Sequence, residues 1–245
     1  MVQPIVLLRG LAREQAHWGD FPGALARQTQ RPVYCQDLPG MGQYHQEQSP
    51  ADMRSLAELI LPRLRRRHPG PWHLVAMSLG AMLAVQLAVL APQQVASLVL
   101  INTSAGALTP FYQRLRWQQY SKVLSAFIAP LRQREQLILQ LTSQRWQQPQ
   151  LQRAVDIARH RPVQRLNVLR QLLAASRFRL SEKPQCPLLL LSGAADQLVD
   201  PICSERLADY WQVAHLQHPL AGHDLVLDAP DWLLSQLVQF YACLD

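Results

Sequence analysis

His73-Leu-Val-Ala-Met-Ser78-Leu-Gly80-Ala-Met82 begins as an uninterrupted apolar run and continues as a helical pattern, with one serine at the change. Continuous rather than alternating hydrophobicity over His73 to Met77 is what a strand covered on both faces requires. Leu79 to Leu90 then reads as a helix. Ala76 lies two residues before the serine and Gly80 two after it, so small side chains flank the point where strand and helix backbones would come closest. A turn that tight pushes the serine Oγ out above a sheet, where it can meet a substrate. A serine also caps ordinary helices, so the stretch gains chemical meaning only from partners elsewhere.

Working outward, further short apolar runs occur at Ile5 to Leu8, Val33 to Cys35, Leu98 to Ile101 and Leu188 to Leu191, each bounded by turn residues. Helical patterns at Trp18 to Thr29, Ala51 to Arg67, Pro201 to Trp211 and Pro230 to Cys243 separate or follow them. Buried strands alternating with helices predict an α/β fold with a doubly wound, mostly parallel sheet. From 105 to 183 the strand signal disappears, and helix-like stretches are broken at Pro110, Pro130, Pro149 and Pro162. The expected organisation is a core of residues 1–104 and 184–245 with a helical lid of residues 105–183 inserted after the strand ending near Ile101. Such an insertion would lie over the carboxyl ends of the strands, where open α/β sheets bind ligands. Trp18, Phe111, Tyr112, Trp117, Tyr120, Phe127 and Trp146 are the expected apolar lining of a substrate pocket, although aromatics in a lid can equally form its own core.

Composition narrows the classes. The 245 residues are 49% hydrophobic and 17% charged, enough apolar content for a substantial core. No stretch approaches the roughly 18 to 20 apolar residues of a membrane span. The N-terminus lacks both a basic region and a small-residue cleavage site, so a cytoplasmic location is expected. Four cysteines show no metal-ligand spacing. The net charge of +7 would suit nucleic acid, yet it is uneven: residues 105–183 hold 14 Lys+Arg against 3 Asp+Glu, and the rest hold 10 against 14. A negative remainder and the lack of a recognised binding motif argue against nucleic acid. The basic segment suits instead an acidic partner or an anionic substrate, or it is a solvated face.

Serine is a weak nucleophile until a base takes its proton. Leu191-Ser-Gly-Ala-Ala-Asp196 places a carboxylate in the loop leaving a strand, with Asp200 as a near rival, and Leu220-Ala-Gly-His223 places an imidazole before the final helix. The chain order is Ser78, Asp196, His223, the order expected when the three meet at one edge of such a sheet. Asp196 as a plain turn residue and His223 as a surface histidine are the bland alternatives. An arrangement of His218, His223 and Asp224 has no recognisable metal-ligand spacing, and neither metal nor cofactor is expected. Two backbone N–H donors should face the developing oxyanion. Leu79, first in its helix, supplies one, and Leu11, after Gly10 in the loop following the first strand, supplies the other.

With these motifs the sequence resembles the α/β-hydrolase superfamily nearly end to end, from Val6-Leu-Leu-Arg9-Gly10 to Ala221-Gly-His223. Asp37-Leu-Pro-Gly-Met-Gly42 matches the family's Asp-x-Pro-Gly-x-Gly turn and is assigned a structural role. Two departures stand out. Ala76 replaces the usual elbow glycine, and Arg9-Gly10 stands where the family has His-Gly, which bears on the shape of the oxyanion loop. Within the superfamily the chain is most similar to small carboxylesterases, including the methyl esterases that act on a pimeloyl carrier protein. That resemblance implies a small-molecule ester or thioester substrate and an acidic carrier protein at a basic lid. The menaquinone-pathway lyase that eliminates pyruvate is also similar, but Met82 occupies the place of its arginine. A non-catalytic ligand-binding or interaction protein on the same fold is the reading from another class.

Overall fold

A computed structural model describes residues 2–68, 70–180 and 182–244; Met1, Pro69, Ser181 and Asp245 lie outside the described residues. The first half runs β1 (Ile5–Leu8), α1 (Phe21–Thr29), β2 (Val33–Gln36), α2 (Met53–Arg67), β3 (Trp72–Met77), α3 (Leu79–Leu90) and β4 (Val95–Ile101). Five helices follow before the next strand: α4 (Phe111–Arg114), α5 (Tyr120–Ile128), α6 (Leu131–Thr142), α7 (Gln148–His160) and α8 (Arg165–Arg177). The chain closes with β5 (Leu188–Gly193), α9 (Ile202–Trp211), β6 (Ala214–His218), α10 (Leu225–Asp228) and α11 (Pro230–Ala242).

All pairings are parallel, in the order β2-β1-β3-β4-β5-β6. Successive side chains of a strand point to opposite faces, so each buried run feeds two layers. Val6, Leu8, Leu74, Leu98 and Leu190 pack with α2, α3 and α9 on one face. Ile5, Leu7, Val75, Val99 and Leu191 pack with α1 and α11 on the other. That division explains the runs without polar alternation: both faces are covered.

The sheet order also fixes where a ligand can sit. From β1 the chain crosses outward to β2, then returns to place β3 on the other side of β1, so the loops leaving β1 and β3 diverge to opposite faces. A crevice opens at such a switch point. Gly10 follows β1 and Ser78 follows β3, and they meet there: a Cβ added to Gly10 would lie 3.1 Å from Ser78 Cβ.

One strand escapes the sequence pattern. In β6, Ala-His-Leu-Gln-His, only two of five residues are apolar, and the strand is largely exposed at the sheet edge. An edge strand pairs on one side only, so the backbone ladder to β5 holds it without a continuous apolar run.

Candidate active site

Ser78 occupies the connection between β3 and α3 with φ +55° and ψ −119°, a conformation that non-glycine residues rarely adopt. Several contacts hold it there. Its N–H donates to Ile101 O at 2.8 Å, and its carbonyl accepts from Ala81 N at 3.0 Å and Thr103 Oγ1 at 3.3 Å. Gly80 is demanded by the same turn, because a Cβ there would fall 2.5 Å from Arg9 O and 2.7 Å from Leu8 O. Those are backbone atoms and cannot step aside. Ala76, fully buried in β3 opposite Leu8 and Leu100, shows that a methyl group is accommodated on the strand side.

Asp196 and His223 leave the ends of β5 and β6 and meet. Asp196 Oδ2 lies 2.6 Å from His223 Nδ1, and both residues are buried. The other carboxylate oxygen accepts from Leu198 N and Val199 N at 2.8 and 3.0 Å, so the carboxylate is held on both oxygens. Asp200, the rival, instead accepts from Ile202 N at the start of α9. Asn102, at φ +47° just past β4, donates to the carbonyl of His223 at 2.7 Å and accepts from Gly193 N at 3.0 Å, joining the acid and histidine loops. Asp228 accepts from Gly222 N at 2.6 Å and from Ser143 Oγ, Gln144 N and Arg145 N. Nothing in the spacing of Asn102 or Asp228 flags them; only the folded loops show what they hold.

Ser78 and His223 line one cavity of about 190 Å³, with Leu11 also in its wall. His223 is hydrogen-bonded to Asp196, and no hydrogen bond joins it to Ser78 in this structure. The N–H of Leu11 meets no acceptor among the described residues. Leu79 begins α3, where an N–H has no partner inside the helix; its side chain is buried in the core.

The rest of the cavity wall comes mainly from the segment between β4 and β5, where Phe127, Ile138, Leu141 and Leu172 contribute apolar surface. Of the expected aromatics Phe127 is in this wall, and the others are elsewhere. Trp18 is buried beneath Arg9, whose guanidinium lies 5.0 Å from its ring centre, and it borders a separate hollow. Phe111, Tyr112 and Trp117 are exposed at 72, 48 and 62%. Trp146 packs on Leu139, Leu151 and Val155 inside the helical segment. The reason is periodicity: α5 turns Val123, Ala126 and Phe127 inward while Leu124 and Ile128 face out, so aliphatic residues and Phe127 form the wall.

One side of the cavity is charged and paired. Arg9 meets Asp224 at 2.5 and 3.2 Å, Arg13 meets Glu135 of α6 at 2.6 Å, and Glu14 meets Arg161 just past α7 at 2.8 Å. Burial pushes the Glu14 carboxyl up to about 7, against the lowering influence of Arg161 and with a further upward push from Asp37. Burial likewise holds the His17 imidazole well below its ordinary range, helped by Arg13 and Arg9. For Asp224, burial acts upward, but the Arg9 guanidinium bonded to it prevails and keeps the carboxyl below the usual range. Asp37 accepts from Gln15 N and Gln43 N, pinning two loops, and a Cβ on Gly42 would collide with its carboxylate. Among the described residues no group of three or more His, Cys, Asp or Glu is placed to hold a metal ion. His223 is engaged with Asp196 and Asp224 with Arg9, so the conceivable His218, His223 and Asp224 cluster does not assemble.

A doubly wound parallel sheet, a serine at a strained strand-to-helix turn, and an acid and histidine from later loops define a class. The chain belongs to the alpha/beta hydrolase family, whose profile matches residues 5–236. Over its whole length it is 30% identical to the biotin biosynthesis bifunctional protein BioHC of Cellvibrio japonicus, covering 49% of that protein. It is 37% identical over 78 residues, 31% of this chain and 26% of the other, to esterase Rv0045c of Mycobacterium tuberculosis. The chain thus spans half or less of the length of the curated relatives it matches. A crystal structure of a hydrolase from Pseudomonas aeruginosa PA01 superposes with a TM-score of 0.79, covering 98% of this chain and 90% of that one. At 21% identity, that likeness is one of fold. No described helix is long and apolar enough to cross a membrane.

Proposed function

We propose that the protein is a serine hydrolase that cleaves a carboxylic ester or thioester through an acyl-enzyme on Ser78. The observation that carries this reading is the buried Asp196–His223 pair, whose histidine lines the same cavity as the strained Ser78. His223 Nε2 takes the proton of Ser78 Oγ as the oxygen attacks the carbonyl carbon, a hydrogen bond that closes once substrate is bound. The tetrahedral oxyanion rests against the N–H groups of Leu11 and Leu79. On collapse the bond to the leaving oxygen or sulfur breaks, and the imidazolium returns its proton to that atom. Water, deprotonated by the same histidine, then attacks the acyl carbon and frees the acid and Ser78. Asp196 fixes the imidazole tautomer and stabilises its charged form.

Residues 105–183 act in this reading as a lid that supplies the acyl-binding wall. An apolar cavity whose border holds five arginines against three carboxylates suits an acyl chain carrying negative charge. The outer face of the segment exposes Phe111, Trp117, Leu124 and Ile128 among its excess of arginines. A surface of that chemistry supports docking of an acidic carrier protein that presents its acyl group. The esterase-named relative is consistent with ester cleavage.

Ser78→Ala is expected to keep the melting temperature of the native chain and to lose about 10⁴-fold or more in kcat/KM on p-nitrophenyl esters. A fluorophosphonate should label Ser78 in the native protein and nothing in the variant. A folded Ser78→Ala protein with full esterase activity would end the proposal.

A further inference from the structure

We propose that the Arg9–Asp224 ion pair is a strut that sets the distance between the oxyanion loop and the histidine loop, making Arg9 and Asp224 positioning residues. This rests on the serine-hydrolase reading. Arg9 directly precedes Gly10-Leu11, and Asp224 directly follows His223. The two loops leave β1 and β6, which are separated in the sheet by β3, β4 and β5, so backbone pairing cannot hold one against the other. The side chains do so instead. Arg9 Nη1 donates to Asp224 Oδ1 and Nη2 to Oδ2, and the pair is largely shielded, at 4 and 14% side-chain exposure.

Each partner is itself braced. Arg9 lies over the Trp18 ring, and Trp18 stacks on Phe21 of α1 with centroids 5.9 Å apart. The backbone N–H of Asp224 donates to Thr142 O at 2.7 Å. Leu11 and Ala12 pack on the core and Arg13 pairs with Glu135, but few backbone hydrogen bonds hold the oxyanion loop near Ser78. Beyond the Arg13 N to Gly10 O contact at 3.2 Å, neither Leu11 nor Ala12 donates a backbone hydrogen bond among the described residues, and Ala12 sits at φ +56°. A donor that must meet an oxyanion within a few tenths of an ångström needs a fixed support. A planar fork bonded to a carboxylate at two points resists both translation and twist, which a lysine's single ammonium would not.

The test is a cycle of Arg9→Met, Asp224→Leu and the double variant, with fluorophosphonate labelling of Ser78, melting temperature, and kcat and KM on p-nitrophenyl butyrate. Each single change should lower kcat about 10- to 100-fold, the range expected from small misplacement, with KM within about twofold. A phenylboronic acid, whose tetrahedral adduct on Ser78 carries the oxyanion's charge, should bind more weakly by the same factor. The double variant should lose no more than the worse single one. It replaces a shielded ion pair with an apolar pair, so it should stay folded even if a single variant, left with one buried charge, does not.

Folded single variants with kcat within twofold of the native chain would overturn the strut, as would losses confined to KM or losses that multiply in the double variant. A double variant with native melting temperature and native kcat would overturn it too, since support would then come from elsewhere. Failure of the native protein to label at Ser78 would instead bring down the hydrolase reading beneath it.

Discussion

The sheet and the helices between β4 and β5 are built on opposite principles. Helix α3, behind the elbow, is apolar almost all round, with Leu79 to Val85 buried throughout. Helix α8 buries only Asn167, Gln171 and Ala174, and leaves Leu166, Leu169 and Leu173 in solvent. The sheet layers hold Ser78, Asp196 and His223 at the ends of strands in fixed register; the helical segment offers one thin apolar face to the cavity and a charged, partly apolar face to the outside. Dense packing and exposed apolar surface thereby fall to different stretches of chain.

Three substitutions or conditions can break that contrast. The largest effect belongs to Gly80→Ala. Its new methyl would press on the carbonyls of Leu8 and Arg9, backbone atoms of the rigid half. A loss of about 1–3 kcal/mol in stability is expected from such overpacking, and p-nitrophenyl ester turnover should fall with it. An unchanged thermal melt would show that the elbow is more pliant than its contacts imply.

A second effect belongs to the outer face. Carrier-protein-bound acyl turnover should drop several-fold between low and about 0.3 M salt, because exposed charges attract over a Debye length that shrinks to under about 10 Å. Turnover of a small neutral ester should barely change. An equal response of both substrates would remove any role for the arginines in docking.

The smallest effect lies at the seam, where Glu14 of the rigid half meets Arg161 of the helical one. Glu14 holds its proton in the folded state up to about pH 7, whereas the unfolded chain releases it near 4.5. Its burial therefore erodes stability as pH rises from about 4.5 to 7. His17 has the opposite sign: with its folded value depressed below 6.5, its contribution is present above that pH and is lost as pH falls through it. The two should largely cancel in the native chain over the shared window. Glu14→Gln should make the melting temperature climb with pH between 5 and 7, and His17→Gln should make it decline. Parallel profiles for both variants would show that neither titration differs between folded and unfolded states.

How much could be read from the sequence follows the same division. β1 and α3 begin and end where the apolar pattern places them, at Ile5–Leu8 and Leu79–Leu90, because burial on both faces leaves an unbroken signal. The loops of Asp196 and His223 were legible since each follows the end of a strand with a glycine nearby. β6 was not, because an edge strand needs no apolar run. Most of the expected aromatics stand outside the cavity for a related reason. Phe111 and Trp117 carry the composition of a pocket, but which face of a short helix turns inward depends on neighbours distant in sequence. Asn102, Asp228 and the Arg9–Asp224 pair were equally silent: a polar residue that ties two loops together leaves no periodic trace.

Asp228 gathers Gly222 of the histidine loop and residues 143–145 of the α6–α7 turn onto a single carboxylate. Those two stretches therefore travel as one piece. Swinging the helical segment away at α6 would drag the imidazole with it, and the stretch just past α4 is tied in turn to the acid loop, through Arg116 to the carbonyls of Leu198 and Asp196. The Asp228 tie makes the α6–α7 turn a poor place to gain or lose residues.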